Sequence, residues 1–210
     1  AGQLALTLNA GGTITNPATI NTNGGLLTYN ATGAATQSGV ISGAGGLTKK
    51  GAGMLTLSGA NAYTGTTTIN AGTLTVSGGN AIADTSQVTL ANTAGATLNL
   101  ANSETIGNLS GGGATGGNVT LGANTLTVNE GGTTTYSGVI SGTGGLTKAG
   151  TGTLTLSRAN SYSGSTTINA GTLALGASNV LANGSSVVVN GGTLNIGTQS
   201  DTVAGVQLLS

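Results

Sequence analysis

The chain of 210 residues has no cysteine, histidine, tryptophan or phenylalanine, and only one proline and four tyrosines. Without cysteine there is neither a disulfide framework nor a thiolate metal site, and without histidine the commonest metal ligand and general base is missing as well. No metal and no other cofactor is expected. Charge is almost as scarce: four Lys/Arg balance four Asp/Glu, 4% of the residues together, against about 25% in ordinary globular proteins. A phosphate backbone would meet almost no field to steer by, so nucleic acid is not an expected partner. No apolar run approaches the roughly 18 residues of a membrane-spanning helix, so this segment is not expected to insert in a membrane. The opening Ala1-Gly2-Gln3 lacks the basic and apolar regions of a secretion signal.

What is abundant is glycine, 41 residues of it, with Ser, Thr and Asn. The arrangement argues against a disordered linker. Apolar residues recur two apart, as in Leu55/Leu57, Leu74/Val76, Leu98/Leu100, Leu126/Val128, Leu154/Leu156 and Leu173/Leu175. Successive side chains of a strand point to opposite faces, so each pair sends two aliphatic groups inward around one outward residue. Turn clusters such as Asn70-Ala71-Gly72, Asn169-Ala170-Gly171 and Asn190-Gly191-Gly192 separate these strands, and both Asn and Gly tolerate the left-handed backbone of a tight corner. Glycine at this density also opposes helix, at about 1 kcal/mol relative to Ala per interior position.

Residues 38–76 and 137–175 are nearly the same text 99 positions apart, with 29 identities in 39 aligned places. A fixed period marks a stacked structural unit. Strand pairs repeat more finely, Leu55 to Leu74 and Leu154 to Leu173 being 19 residues apart and Leu98 to Val119 being 21. The expected architecture is therefore all-β: one solenoid of about ten rungs of about 20 residues, with aliphatic columns inside and little room for aromatic rings. The 99-residue period then spans about five rungs. The first full copy is 38–136, the second is 137–210 and truncated, and 1–37 reads as the divergent tail of an earlier copy. Both ends are expected to continue in a longer chain.

The shared text has a specific form. It runs Gly45-Gly46-Leu47-Thr48-Lys49, Gly51, Gly53, Leu55-Thr56-Leu57-Ser58, Asn61, Tyr63, Gly65, Thr67, Ile69 and Gly72-Thr73-Leu74, and again from Gly144-Gly145-Leu146-Thr147-Lys148 to Gly171-Thr172-Leu173. This resembles the passenger-associated transport repeat of bacterial autotransporters. The resemblance implies a right-handed parallel β-helix exported through the outer membrane of a Gram-negative bacterium and displayed at, or released from, its surface. It further implies a non-enzymatic stalk or adhesin whose partners are host-cell, matrix or glycan surfaces, or other copies of itself. An end-to-end fibre subunit is the alternative. No membrane β-barrel is recognisable in this chain.

The chemical inventory leaves few candidates, and the two copies test each one. Glycan-cleaving β-helices need two carboxyls about 5 to 10 Å apart, and Asp84 with Glu104 is the best available pair, one rung apart. Asp84 aligns with Asn183, and Glu104 with Asp201, so solvated turns are the expected role of these acids; Glu130 completes the set. Lys49 and Lys148 are equivalent, either a basic ladder for anionic polysaccharide or, as expected, charged corners that discourage strand aggregation. Lys50 and Arg158 are not repeated. Tyr63 and Tyr162 are equivalent and are expected to pack on a loop rather than stack on sugar; Tyr29 and Tyr136 have no repeat partner. The run Gly142 to Lys148 lacks the Gly-Lys-Ser/Thr ending of a phosphate loop. Threonine triplets such as Thr73-Leu74-Thr75 and Thr153-Leu154-Thr155 are expected to reflect strand propensity, since Thr75 aligns with Ala174. No catalytic, cofactor-binding or metal-binding residue is expected.

Overall fold

The computed structural model describes residues 5–209; Ala1, Gly2 and Gln3, read above for export signals, lie outside them. Among the described residues all regular elements are short strands, paired in parallel with strands about one coil away. The chain winds round three faces in turn. The first carries ten strands, from Leu6–Ala10 to Thr193–Asn195, and the second carries seven, from Ile14–Asn16 to Ile140–Ser141. The third has three strands up to Ala62–Tyr63, a break, and six more from Glu104–Ile106 to Gly205–Leu209. This is the expected β-solenoid of about ten coils, a rod of about 50 Å at the usual strand spacing.

Period-two alternation accounts for the core. On the first face Leu27, Leu47, Val88 and Leu109 point inward, and on the second Leu55, Leu74, Leu98, Val119 and Ile140 do, all buried. Each such side chain contributes about 1.5 to 3 kcal/mol on leaving water. The expected shortage of room for rings is corrected by the tyrosines: Tyr29, Tyr63, Tyr136 and Tyr162 are all fully buried inside the coils.

The corners explain the glycine content. A Cβ on Gly45 would sit 1.7 Å from the carbonyl oxygen of Gly25 in the coil below, and one on the equivalent Gly144 would sit 1.8 Å from that of Asn124. The Gly of Asn70-Ala71-Gly72 and of Asn169-Ala170-Gly171 has φ of +65° and +60°, a conformation that costs a side-chain-bearing residue about 1 kcal/mol or more.

The 99-residue period is not a whole number of coils. Starting from Leu47–Lys49, the first face is revisited four times, at Thr67, Val88, Leu109 and Thr133, after which the second face at Ile140 precedes Leu146–Ala149 on the third. The advance is four and two-thirds coils rather than five. Equivalent residues of the two copies therefore lie on different faces: Leu47 on the first and Leu146 on the third, Leu55 on the second and Leu154 on the first.

Candidate functional site

The outer wall is nearly devoid of charge. Lys49, Lys148, Glu104 and Glu130 are buried, Arg158 and Asp201 are half-buried, and among the described residues only Lys50 and Asp84 are exposed charged side chains.

Burial overturns both readings of the repeated lysines. In the strand Leu47–Lys49 the first and last residues face inward together, so the ammonium is directed along the inside of the corner. Lys49 Nζ donates to the carbonyls of Gly51 and Ala71; Lys148 Nζ donates to those of Ala149 at 2.6 Å, Gly150 at 2.9 Å and Ala170 at 3.3 Å. The Ala149 carbonyl also accepts the Glu130 amide at 3.1 Å, but those of Gly51, Ala71, Gly150 and Ala170 leave the strand ladder at the turn, and a buried acceptor without a donor is costly. The lysine is an internal cap. Burial pushes the Lys49 ammonium down to about 8 and lowers Lys148 too, the latter partly offset by the Glu130 carboxylate. A basic ladder is excluded twice, since the two side chains are enclosed and lie on different faces.

Glu104 and Asp201 are likewise corrected from solvated turn residues to structural acceptors. The break in the third face is the loop of residues 77–86, and a chain of polar groups holds it across four coils. Asn61 Oδ1 accepts from the Ile41 amide at 2.7 Å, Asn61 Nδ2 donates to the Ala81 carbonyl at 2.6 Å, and Glu104 Oε1 accepts from the Ile82 amide at 2.5 Å. The second copy repeats this on the second face. Asn160 links the Ile140 amide to the Val180 carbonyl at 2.8 and 2.9 Å, and Asp201 Oδ2 accepts from Val180 and Leu181 at 2.7 and 2.9 Å. In both copies the other carboxylate oxygen is buried without a partner. Burial raises Glu104 to about 7; the amides of Ile82 and Ala81 draw it back, and Asp84 adds to the rise. Asp84 itself is exposed on the loop. Asp84 and Glu104, the best available carboxyl pair, are thus one open loop residue and one enclosed loop clasp.

The tyrosines are core anchors, not loop contacts. Tyr63 and Tyr162 each share a 2.6 Å hydrogen bond with the inward Thr67 or Thr166, and Thr67 in turn contacts Ser86 at 3.1 Å. Tyr29 donates to Gln37 Oε1 at 2.5 Å and Tyr136 to the Gly117 carbonyl at 2.7 Å. Desolvation raises all four phenols above their usual range.

Outward threonines line up from coil to coil. On the first face the outward partners in successive coils are Thr7, Thr28, Thr48, Thr68, Thr89 and Ser110. Carrying the Gly111–Tyr136 pairing one residue back continues the column through Thr135 to Thr155, then Ala174 and Asn195. The second face carries Thr15, Thr36, Thr56, Thr75, Asn99 and Thr120 in the same way. Comparing copies at 99 residues hid these columns, because that step changes face.

Sequence reasoning missed the asparagine clasp and the inward lysine. A signal for each was present: Leu47 inward implies Lys49 inward, Ile106 inward implies Glu104 inward, and Asn61 and Asn160 sit one coil before the apolar pairs that they hold.

Comparison with known proteins follows the same repeats. The model of the passenger-associated transport repeat matches residues 47–76 and 146–175. Adhesin BmaC autotransporter of Brucella suis biovar 1 (strain 1330) is 42% identical over 170 residues, covering 78% of this chain and 5% of that relative. The chain thus spans about a twentieth of the relative's length. No solved structure matches it. With two passenger-associated transport repeats laid on a three-faced parallel solenoid, the chain resembles the passenger domain of bacterial autotransporters.

Proposed function

We propose that this chain is a non-enzymatic segment of an autotransporter passenger, displayed at the surface of a Gram-negative bacterium or released from it, serving as stalk and adhesive surface. The observation that carries the reading is the pair of transport repeats in a chain similar to a protein named an adhesin. The wall supports it. Contact with a host-cell, matrix or glycan surface would be distributed over flat, nearly uncharged faces, because the aromatic rings are all inside. A glycosidase reading has little to stand on, as Glu104 is enclosed and holds a backbone amide.

The test is adhesion. Beads coated with the purified chain are expected to bind cultured host cells, immobilised matrix proteins or a glycan array more than beads carrying an unrelated solenoid, and to do so with little dependence on salt. Equal, background binding on all three surfaces would remove the adhesive role. Glycan cleavage that disappears in Asp84→Ala would overturn the non-enzymatic reading.

A further inference from the structure

The sequence holds three Asn-Gly pairs, Asn23-Gly24, Asn183-Gly184 and Asn190-Gly191, and the fold treats them differently. Asn183 and Gly184 form the exposed tip of the loop of residues 176–185. Below them the amide and the hydroxyl of buried Ser185 both donate to the Ala182 carbonyl at 2.9 Å, so the turn is anchored at its base and open at its tip. A Cβ on Gly184 would meet nothing within 4 Å. Among the described residues neither the Asn183 side chain nor the Gly184 amide has a hydrogen-bond partner. The other two pairs are held. Asn23 and Gly24 sit in a left-handed turn at φ of +45° and +84°, pinned by the Asn23 amide on Asn21 Oδ1 at 2.9 Å and the Gly25 amide on the Thr22 carbonyl at 2.7 Å. Asn190 ends the strand Ser186–Asn190, and its Nδ2 donates to Asn169 Oδ1 at 3.2 Å.

We propose that Asn183 is a site of spontaneous deamidation, and that the carboxylate it gains loosens the loop of residues 176–185. The Gly184 nitrogen, its proton lost to solvent, attacks the side-chain carbonyl carbon of Asn183. An N–C bond forms, the bond to Nδ2 breaks, and the side-chain nitrogen takes up a proton and leaves as ammonia. Water then adds to either carbonyl of the five-membered imide and opens it to aspartate or to isoaspartate, whose main chain runs through an extra methylene group. The net exchange is amide and water for carboxylate and ammonium, with no oxidant and no cofactor. A residue without a Cβ leaves the ring room to close, and the open tip leaves this backbone free to turn.

The first copy already carries an acid at this place, since Asp84 is the equivalent of Asn183. Asp84 lies two residues beyond Ile82, whose amide Glu104 holds; Asn183 lies two residues beyond Leu181, whose amide Asp201 holds at 2.9 Å. Asp84 adds to the upward push on Glu104, and a carboxylate at position 183 would repel that of Asp201 in the same way. Asp201 Oδ1 is buried without a partner, and the loop that Oδ2 clasps keeps Val180 and Leu181 buried. The new charge would also stand out, because among the described residues only Lys50 and Asp84 are exposed charged side chains. The modification goes beyond the adhesive role above and does not depend on it.

Mass-spectrometric peptide mapping of the folded chain, sampled over days at neutral pH and body temperature, tests the proposal, with electron-transfer fragmentation to tell aspartate from isoaspartate. Asn183 is expected to convert several-fold faster than Asn23 and Asn190, and the three rates should converge in urea, where the fold no longer separates them. Gly184→Ala should suppress the conversion while leaving the circular dichroism spectrum unchanged. Asn183→Asp, which installs the charge directly, should speed hydrogen exchange at the Val180 and Leu181 amides by about two- to fivefold and leave Ile82 unchanged; the uncharged Asn183→Ser should leave all three as they are. An intact Asn183, or conversion of Asn23 or Asn190 as fast as that of Asn183 in the folded chain, would overturn the site. Unchanged exchange at Val180 and Leu181 in Asn183→Asp would overturn the loosening.

Discussion

A lysine inside an aliphatic core is explained by what its ammonium meets. Lys49 and Lys148 each close a corner by donating to carbonyls that have left the ladder, those of Gly51 and Ala71 and those of Gly150 and Ala170. Lys49→Met keeps the stem and removes the donors, so it is expected to lower unfolding stability by about 1 to 3 kcal/mol in urea titrations, whereas Lys50→Met, on an exposed side chain, should change little. Equal effects would refute the cap. Glu104 gives a pH signature. Its carboxyl titrates near 4.5 when unfolded and near 7 when folded, so between those values the folded state holds more protons. Its contribution is therefore full below 4.5, is lost as pH rises to about 7, and is flat above. The urea midpoint of the native chain should fall from pH 5 to pH 8 more steeply than that of Glu104→Gln; parallel slopes would show that the carboxyl is not enclosed. At this scale the repeat identified equivalent residues correctly, but equivalence carries no direction. Whether a Lys or Glu faces in or out depends on the parity of its strand, which the alignment of the two copies does not carry.

At the scale of elements, the strands and corners were legible because alternation and Asn/Gly clusters are local signals. The loop clasp was not, since it joins residues 41, 61, 82 and 104, whose contact exists only once the coils stack. Asn61→Ala leaves the Ile41 amide and the Ala81 carbonyl without side-chain partners, an expected loss of about 2 kcal/mol or more. Hydrogen exchange should then accelerate at Ile41 and Ile82 before it does at Leu154, in the other copy; uniform protection would contradict a local clasp. The corner glycines give a second check. Gly144→Ala brings a methyl against the Asn124 carbonyl, and overpacking of this kind costs about 1 to 3 kcal/mol, readable as a lowered thermal midpoint. The exposed Gly184, where a Cβ meets nothing within 4 Å, should accept the same change with little effect.

For the whole molecule, the decisive property is the mismatch between repeat and coil. A period of four and two-thirds coils means that each successive copy is turned by one face, so a feature fixed in the repeat is distributed round the rod instead of forming a ladder along it. Residues 19 to 25 apart make the columns, as Thr48, Thr68 and Thr89 do. The length of the rod and its parallel stacking were readable from strand spacing, but the fractional advance was not, because coils vary in length: the step is 19 residues from Thr153 to Thr172 and 25 from Gly111 to Tyr136. The absence of cysteine permits clean spin labelling at introduced sites, and the distance between labels at Thr48→Cys and Thr155→Cys, measured by pulsed electron paramagnetic resonance, probes this register. Five coils on one face place the two backbones about 24 Å apart with a narrow distribution, whereas a broad distribution, or a mean far from that value after allowing for the label arms, would refute the three-faced stack.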